Sequence, residues 1–104
     1  MRLLRDFEGL EIRLSDERLE HILEHPEMVG TEAAIEETLL KPTAVVQSLS
    51  DPADRLYYRY YMGTMVGDKF LCVMVKVSED DAFVLTAYLT DKVKKGVQLW
   101  PRSA

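Results

Sequence analysis

From Ala44 to Thr90 apolar residues recur at about every second position, and that period commits the second half of the chain to extended strands. Segments 44–49, 55–62, 69–77 and 82–90 carry the alternation and are rich in β-branched and aromatic residues. Between them stand Ser50-Asp51-Pro52-Ala53-Asp54, the stretch from Gly63 to Asp68, and Ser78-Glu79-Asp80-Asp81, all composed of turn formers. Connections this short join antiparallel neighbours, so the pattern predicts a four-stranded antiparallel meander.

The residues before Ala44 follow a different rhythm. Leu10, Ile12 and Leu14 alternate with Glu11 and Arg13, which reads as one short strand. Ser15 is a natural N-cap, Asp16 and Glu17 suit the first turn of a helix, and Leu19, Ile22 and Leu23 form its apolar stripe. Pro26 disfavours helical geometry at His25, so the helix is predicted over 16–25. Thr31 opens a second helix with Ile35 and Leu39 inward, ended by the Lys41-Pro42 step. The expected fold is α+β: a short N-terminal strand and two helices packed on one face of the four-stranded meander, in a single domain over residues 1–104.

Strand alternation sorts side chains onto faces. Leu71, Val73, Val75 and Val77, with Phe83, Leu85, Ala87 and Leu89, form an apolar set expected to pack on Leu19, Ile22, Leu23, Ile35 and Leu39. The opposite set holds Phe70, Cys72, Met74 and Lys76 beside Val84, Thr86, Tyr88 and Thr90. For the tyrosine-rich strand, either Arg55, Tyr57, Arg59 and Tyr61 or Leu56, Tyr58, Tyr60 and Met62 share the face of Lys76.

Charge divides the chain in the same place. Its 104 residues carry a formal net charge of -5, but residues 1–54 hold 5 Lys and Arg against 13 Asp and Glu, whereas residues 55–104 hold 8 against 5. Positive potential therefore belongs to the second half. No apolar run reaches membrane-spanning length, and charge interrupts the Met1-Arg2-Leu3-Leu4-Arg5-Asp6 start too soon for a signal sequence. Cys72, the only cysteine, allows no internal disulfide, which suits a soluble protein of the cytoplasm.

The only two histidines, His21 and His25, lie one helical turn apart. Histidine exchanges protons near neutral pH, so such a pair is a candidate for acid/base work or metal binding. With only Glu24 and Glu27 beside it, no structural metal and no cofactor are expected. If Arg55 and Arg59 join Lys76, the cations, the hydroxyls of Thr86 and Tyr88 and a histidine make a constellation suited to a phosphodiester. Alternating Tyr, Thr and Arg also clothe the solvent face of an ordinary antiparallel sheet.

One ordered set of residues adds to this. His21-Ile22, then His25-Pro26-Glu27, Ile35, Pro42, the tyrosine-rich strand, Val73-Met74-Val75-Lys76-Val77, Phe83-Val84-Leu85-Thr86-Ala87-Tyr88-Leu89-Thr90, Lys94-Lys95-Gly96 and Leu99-Trp100 together resemble the phage-associated branch of the barnase, EndoU, colicin and RelE-like nuclease superfamily. The resemblance spans nearly the whole chain. It implies a metal-independent endoribonuclease, toxin-like or phage-derived, with its site on the open face of the sheet. His21 and His25 match the family's helix histidines, Lys76 its strand lysine, and Thr86, Tyr88 and Thr90 its Thr-Ala-Tyr-x-Thr segment. On this reading His25, with His21, is the general acid/base, Arg59 and Lys76 stabilise phosphate, Thr86 and Tyr88 position it, and Arg55 and Thr90 contact substrate. The implied partners are RNA and an antitoxin-like protein or a second copy of the chain. The alternatives are a non-catalytic module whose Tyr-rich face takes a protein partner or a dimer, and an RNA-binding relative without turnover.

Overall fold

The computed structural model describes residues 1–102. In chain order its elements are β1 (Arg2–Arg5), β2 (Glu11–Leu14), α1 (Asp16–Leu23), a 3-10 turn (Pro26–Met28), α2 (Glu32–Leu40), β3 (Ala44–Gln47), β4 (Asp54–Thr64), β5 (Gly67–Val77), β6 (Ala82–Thr90) and β7 (Val97–Trp100). The class is α+β. The sheet, however, has seven strands in the order β1-β2-β6-β5-β4-β3-β7 and is mixed, because β2 and β6 run parallel. This corrects the expected four-stranded antiparallel meander: β3 to β6 do pair antiparallel in succession, but they form only the centre of a wider sheet.

The two strands missed from the sequence are its edges. β1 buries Leu4 alone, and β7 only half-buries Leu99, so neither shows a repeat of the alternation; both are held by main-chain pairing to β2 and β3. The parallel pair follows from the connections. After β2 the chain passes through both helices to β3 near the far edge, and the meander then returns until β6 lies beside β2.

Local chemistry explains the helices. Ser15 is extended at φ -73° and ψ 153°, and its hydroxyl accepts the Arg18 N–H at 3.1 Å, satisfying one of the free donors of α1. His25 adopts the extended geometry that a residue before proline prefers, with ψ 121°. Thr31 stands at the N-cap of α2, but its hydroxyl donates back to the Met28 carbonyl at 2.6 Å. Ile22, Ile35 and Leu39 are buried among Val45, Tyr57, Leu71, Val73 and Val75, each full burial contributing ~1.5–3 kcal/mol.

Register settles the faces. Tyr57 pairs with Val73 and Arg59 with Leu71, so Arg55, Tyr57, Arg59 and Tyr61 point to the helix side, away from Lys76. In β6 the register shifts between Met74 opposite Thr86 and Val75 opposite Val84, leaving Leu85 unpaired. The bulge reverses the alternation: Ala82 and Val84 enter the helix-side core, while Phe83 pairs with Lys76 and Leu85 is half-buried. The expectation that Phe83 and Leu85 line the core is thereby corrected.

The buried carboxylate of Asp6 is fully partnered. The Tyr57 hydroxyl donates to Asp6 Oδ2 at 2.7 Å, Asp6 Oδ1 accepts the N–H groups of Glu8 and Leu10 at 2.9 Å each, and Arg55 Nη1 lies 3.8 Å from the same carboxylate. This ties the β1–β2 loop to the centre of the sheet. Burial, then the bond to Asp6, raises the Tyr57 pKa well above the ordinary tyrosine value.

On the other face the connection from β6 to β7, residues 91–96, crosses β5, β4 and β3 as a strap, and Val93 packs on a second core of Val46, Leu56, Tyr58 and Cys72. The Lys94 N–H donates to the Tyr58 hydroxyl at 3.1 Å. Gly96 lies so near β3 that a Cβ there would stand 2.4 Å from the Gln47 carbonyl oxygen and 2.5 Å from Val46 Cγ1, so only glycine fits without displacement.

Candidate nucleic-acid interface

The residues singled out in the sequence separate into three places. His21 and His25 sit at the end of α1, on the helix side of the sheet, and both are exposed. Their neighbours are acidic: His21 Nδ1 is 3.6 Å from Glu24 Oε2, and His25 Nδ1 is 3.9 Å from Glu27 Oε1. Arg55 and Arg59 are also on the helix side, but within the sheet. Arg55 serves the Asp6–Tyr57 pair, and Arg59 donates to the Lys41 carbonyl at 2.6 Å with Nε 3.4 Å from Glu37 Oε1.

Lys76, Thr86, Tyr88 and Thr90 do share the opposite face. Within it, Lys76 belongs to the β3–β4 turn: its ammonium is 2.7 Å from Asp51 Oδ2 and 3.0 Å from Asp54 Oδ1. The hydrogen bond to Asp51, then that to Asp54, raises the Lys76 pKa, while the same bond lowers that of Asp51. A cation held by two carboxylates has little positive potential left for a phosphate. The histidines and the sheet cations are thus not brought into one cleft.

The strap supplies what that face otherwise lacks. Lys92, Lys94 and Lys95 are all exposed, and among the described residues none of them makes an ion pair. By contrast Arg2, Arg5, Arg13, Arg55, Arg59, Lys69, Lys76 and Arg102 each lie within 4.0 Å of a carboxylate, and the two other cations without an ion pair among the described residues, Arg18 on α1 and Lys41 at the end of α2, stand singly rather than in a row. Thr90 shapes the start of the strap, its hydroxyl lying 3.5 Å from the Lys92 N–H. Val93 and the Lys94–Tyr58 bond hold the middle down, and the close fit of Gly96 fixes the end.

Aromatic side chains flank this anchored row of ammonium groups. Tyr60 and Phe70 meet edge to face with centroids 5.0 Å apart, Phe70 packs against Tyr58 in the same manner, and 46% of Tyr60 remains exposed. Thr86 and Tyr88 are half-exposed along β6. The titratable groups beneath the strap stay neutral: burial pushes the Cys72 thiol up to about 11 and the Tyr58 hydroxyl up to about 12, and raises Tyr88 further. The arrangement can hold an anionic chain and stack its bases, but among the described residues this face carries no histidine.

Reading strand periodicity alone leaves the strap lysines out, since they lie in a loop. The signal that could have found them is the run Lys92, Lys94, Lys95, the densest basic cluster of the chain and the source of the positive balance of its second half. Comparison with protein-family models, with curated proteins and with solved structures finds no match.

Proposed function

We propose that this protein is an RNA-binding domain that holds single-stranded RNA across the strap, with Lys92, Lys94 and Lys95 on the phosphates and Tyr60 and Phe70 against the bases. The observation that carries this reading is the group of three unpaired lysines on an anchored segment beside an exposed aromatic pair. RNA is the ligand implied by the resemblance described above, and Thr86, Tyr88 and Thr90 keep their place beside it. Single strands suit the face because bases must be unstacked to meet a tyrosine or phenylalanine ring. The contribution of His21 and His25 to a reaction is set aside, because a carboxylate near each imidazole and the thickness of the sheet separate them from the lysines.

Fluorescence anisotropy with labelled oligouridine, in chelator and at low salt, tests the reading. Binding should weaken with salt at a slope of about -0.7 in log K per log salt for each lysine engaged, hence roughly -2 in all. Unchanged affinity on replacing the three lysines by glutamine sinks the proposal. Oligouridine cut to 2',3'-cyclic phosphate ends, with the activity lost in His25→Ala, would instead establish the endoribonuclease reading.

A further inference from the structure

β4 outruns the strand beside it. It extends from Asp54 to Thr64, but β3 pairs with it only from Arg55 to Tyr58, so residues 60–64 border a notch in the sheet beyond the start of β3. Hydrogen bonding shows which main-chain groups face that notch. The Ser48 N–H donates to the Asp54 carbonyl, the Thr43 N–H to the Tyr58 carbonyl and the Tyr60 N–H to Thr43 Oγ1, so the even-numbered residues of β4 turn toward the β3 side. The Gly63 N–H donates to Asp68 Oδ1 on the β5 side, which keeps the alternation through Met62. The Tyr60 carbonyl and both main-chain groups of Met62 therefore point into the notch, where among the described residues nothing pairs with them. Free edges are commonly blunted by charge or proline. This one has neither from Tyr60 to Val66, and Tyr60, Met62, Met65 and Val66 are 46%, 78%, 71% and 50% exposed. An extended segment satisfies such an edge; a helix, whose main-chain groups are bonded internally, does not.

We propose that a second copy of this chain fills the notch, its own β4 pairing antiparallel with this one about a two-fold axis at Met62. The match in length points to a second copy: the stretch of β4 that β3 leaves uncovered is the same stretch that projects past β3, so the hairpin of one copy fits the notch of the other, and the reverse. This register sets Met62 opposite Met62 and Tyr60 opposite Thr64. No like charges meet along it, although each chain carries a net -5. Centring the axis on Tyr61 instead would set Thr64 against Tyr58, which is already paired with Ala44. The two seven-stranded sheets join into one with both straps on the same face, and the inference holds whether or not that face binds RNA.

Sedimentation of the full chain from about 1 µM to about 1 mM should show a monomer–dimer equilibrium. Met62→Lys and Met62→Glu set like charges directly opposite each other, and each should weaken the dimer by about tenfold or more, whereas an equimolar mixture of the two variants should recover it. Leu49→Lys, at an equally exposed site in the turn at the other end of β4, should change nothing. Because Met62 is largely exposed and its N–H faces away from β5, unchanged melting curves will show that these variants are folded. Met62→Cys supplies a second measurement: mild oxidation should link the copies through position 62, since opposed residues of an antiparallel pair stand about 4.5–5.5 Å apart, within reach of a disulfide, while Cys72 is buried. A monomer throughout the range overturns the proposal and leaves the edge to the strand of another protein. A dimer indifferent to both charge substitutions, or a mixture no more associated than its components, overturns it as well.

Discussion

On the helix side of the sheet both histidines stand near carboxylates, and on the strap side three lysines have no ion pair among the described residues. The first region concentrates the residue type most often used for proton transfer, in surroundings that repel a phosphodiester. The second lacks a proton carrier but keeps its positive charge free. What distinguishes the two is how their charges are paired, and pairing is a property of tertiary contacts: Lys76 and Arg59 look as available in the sequence as Lys94, yet Asp51, Asp54 and Glu37 engage them.

The strongest way to break this contrast is to exchange the charges. Lys92→Glu, Lys94→Glu and Lys95→Glu together should lower the affinity for oligouridine on the order of a hundredfold at low salt and flatten its salt dependence. His21→Ala with His25→Ala should leave both within about twofold, since neither imidazole neighbours a lysine of the strap. Anisotropy titrations of the two variants at two salt concentrations decide between the faces. The reverse ranking would move the RNA to the helix side.

The strap must be held down for its lysines to act together, and Gly96 is where that is most easily disturbed. In Gly96→Ala the new methyl meets the Gln47 carbonyl and Val46 across gaps of 2.4 and 2.5 Å. Overpacking of this kind costs ~1–3 kcal/mol, lowering the melting temperature by about 4–8 °C per kcal/mol. RNA affinity should fall as well, although no charge is altered. A variant that melts like the native protein would show that β7 and the strap can shift away from β3 without strain.

How far the sequence foretold this fold depends on how often each element repeats its signal. β4, β5 and β6 alternate over nine to eleven residues and were legible; β1 and β7, at four residues with one inward side chain each, were not. The bulge at Leu85 leaves no trace in composition, because Phe83, Val84 and Leu85 are all apolar and either parity reads as a core strand. Of the candidate site, Thr86, Tyr88 and Thr90 were placed on one face with Lys76 by alternation alone. The positions of Arg55 and Arg59 could not be read, since both parities of β4 carry tyrosines, and it took the pairing of Tyr57 with Val73 to send the arginines to the helix side.

Base stacking is a smaller effect than reversing three charges. Tyr60→Ala removes the exposed half of the Tyr60–Phe70 pair and should reduce affinity by about 1–3 kcal/mol while leaving the salt slope unchanged, because no phosphate contact is lost. Measuring affinity against salt separates the two contributions: lysine variants alter the slope, Tyr60→Ala the intercept. If Tyr60→Ala changes the slope, the tyrosine acts by positioning the strap.

The smallest expected effect concerns pH and tests whether the strap covers its face in solution. Burial pushes Cys72 from 9.0 up to about 11 and Tyr58 from 10.0 up to about 12, whereas the unfolded chain ionises at the ordinary values. Both folded values are raised, so the unfolded state releases its protons first, and the contribution of these two groups to stability should be constant below about pH 9 and decline as pH rises toward 12. Urea midpoints across that window should show the fall, and Cys72→Ala should remove its earlier part. At pH 7 the native thiol, buried and protonated, should resist a disulfide reagent that labels the urea-unfolded chain at once. Labelling of the native protein at the unfolded rate would mean that the strap leaves Cys72 open, and the lysines of residues 92–95 would then have no fixed place beside Tyr60 and Phe70. Slow labelling that quickens in Gly96→Ala would join the two tests, since the same glycine would govern both access to the thiol and the position of the lysines.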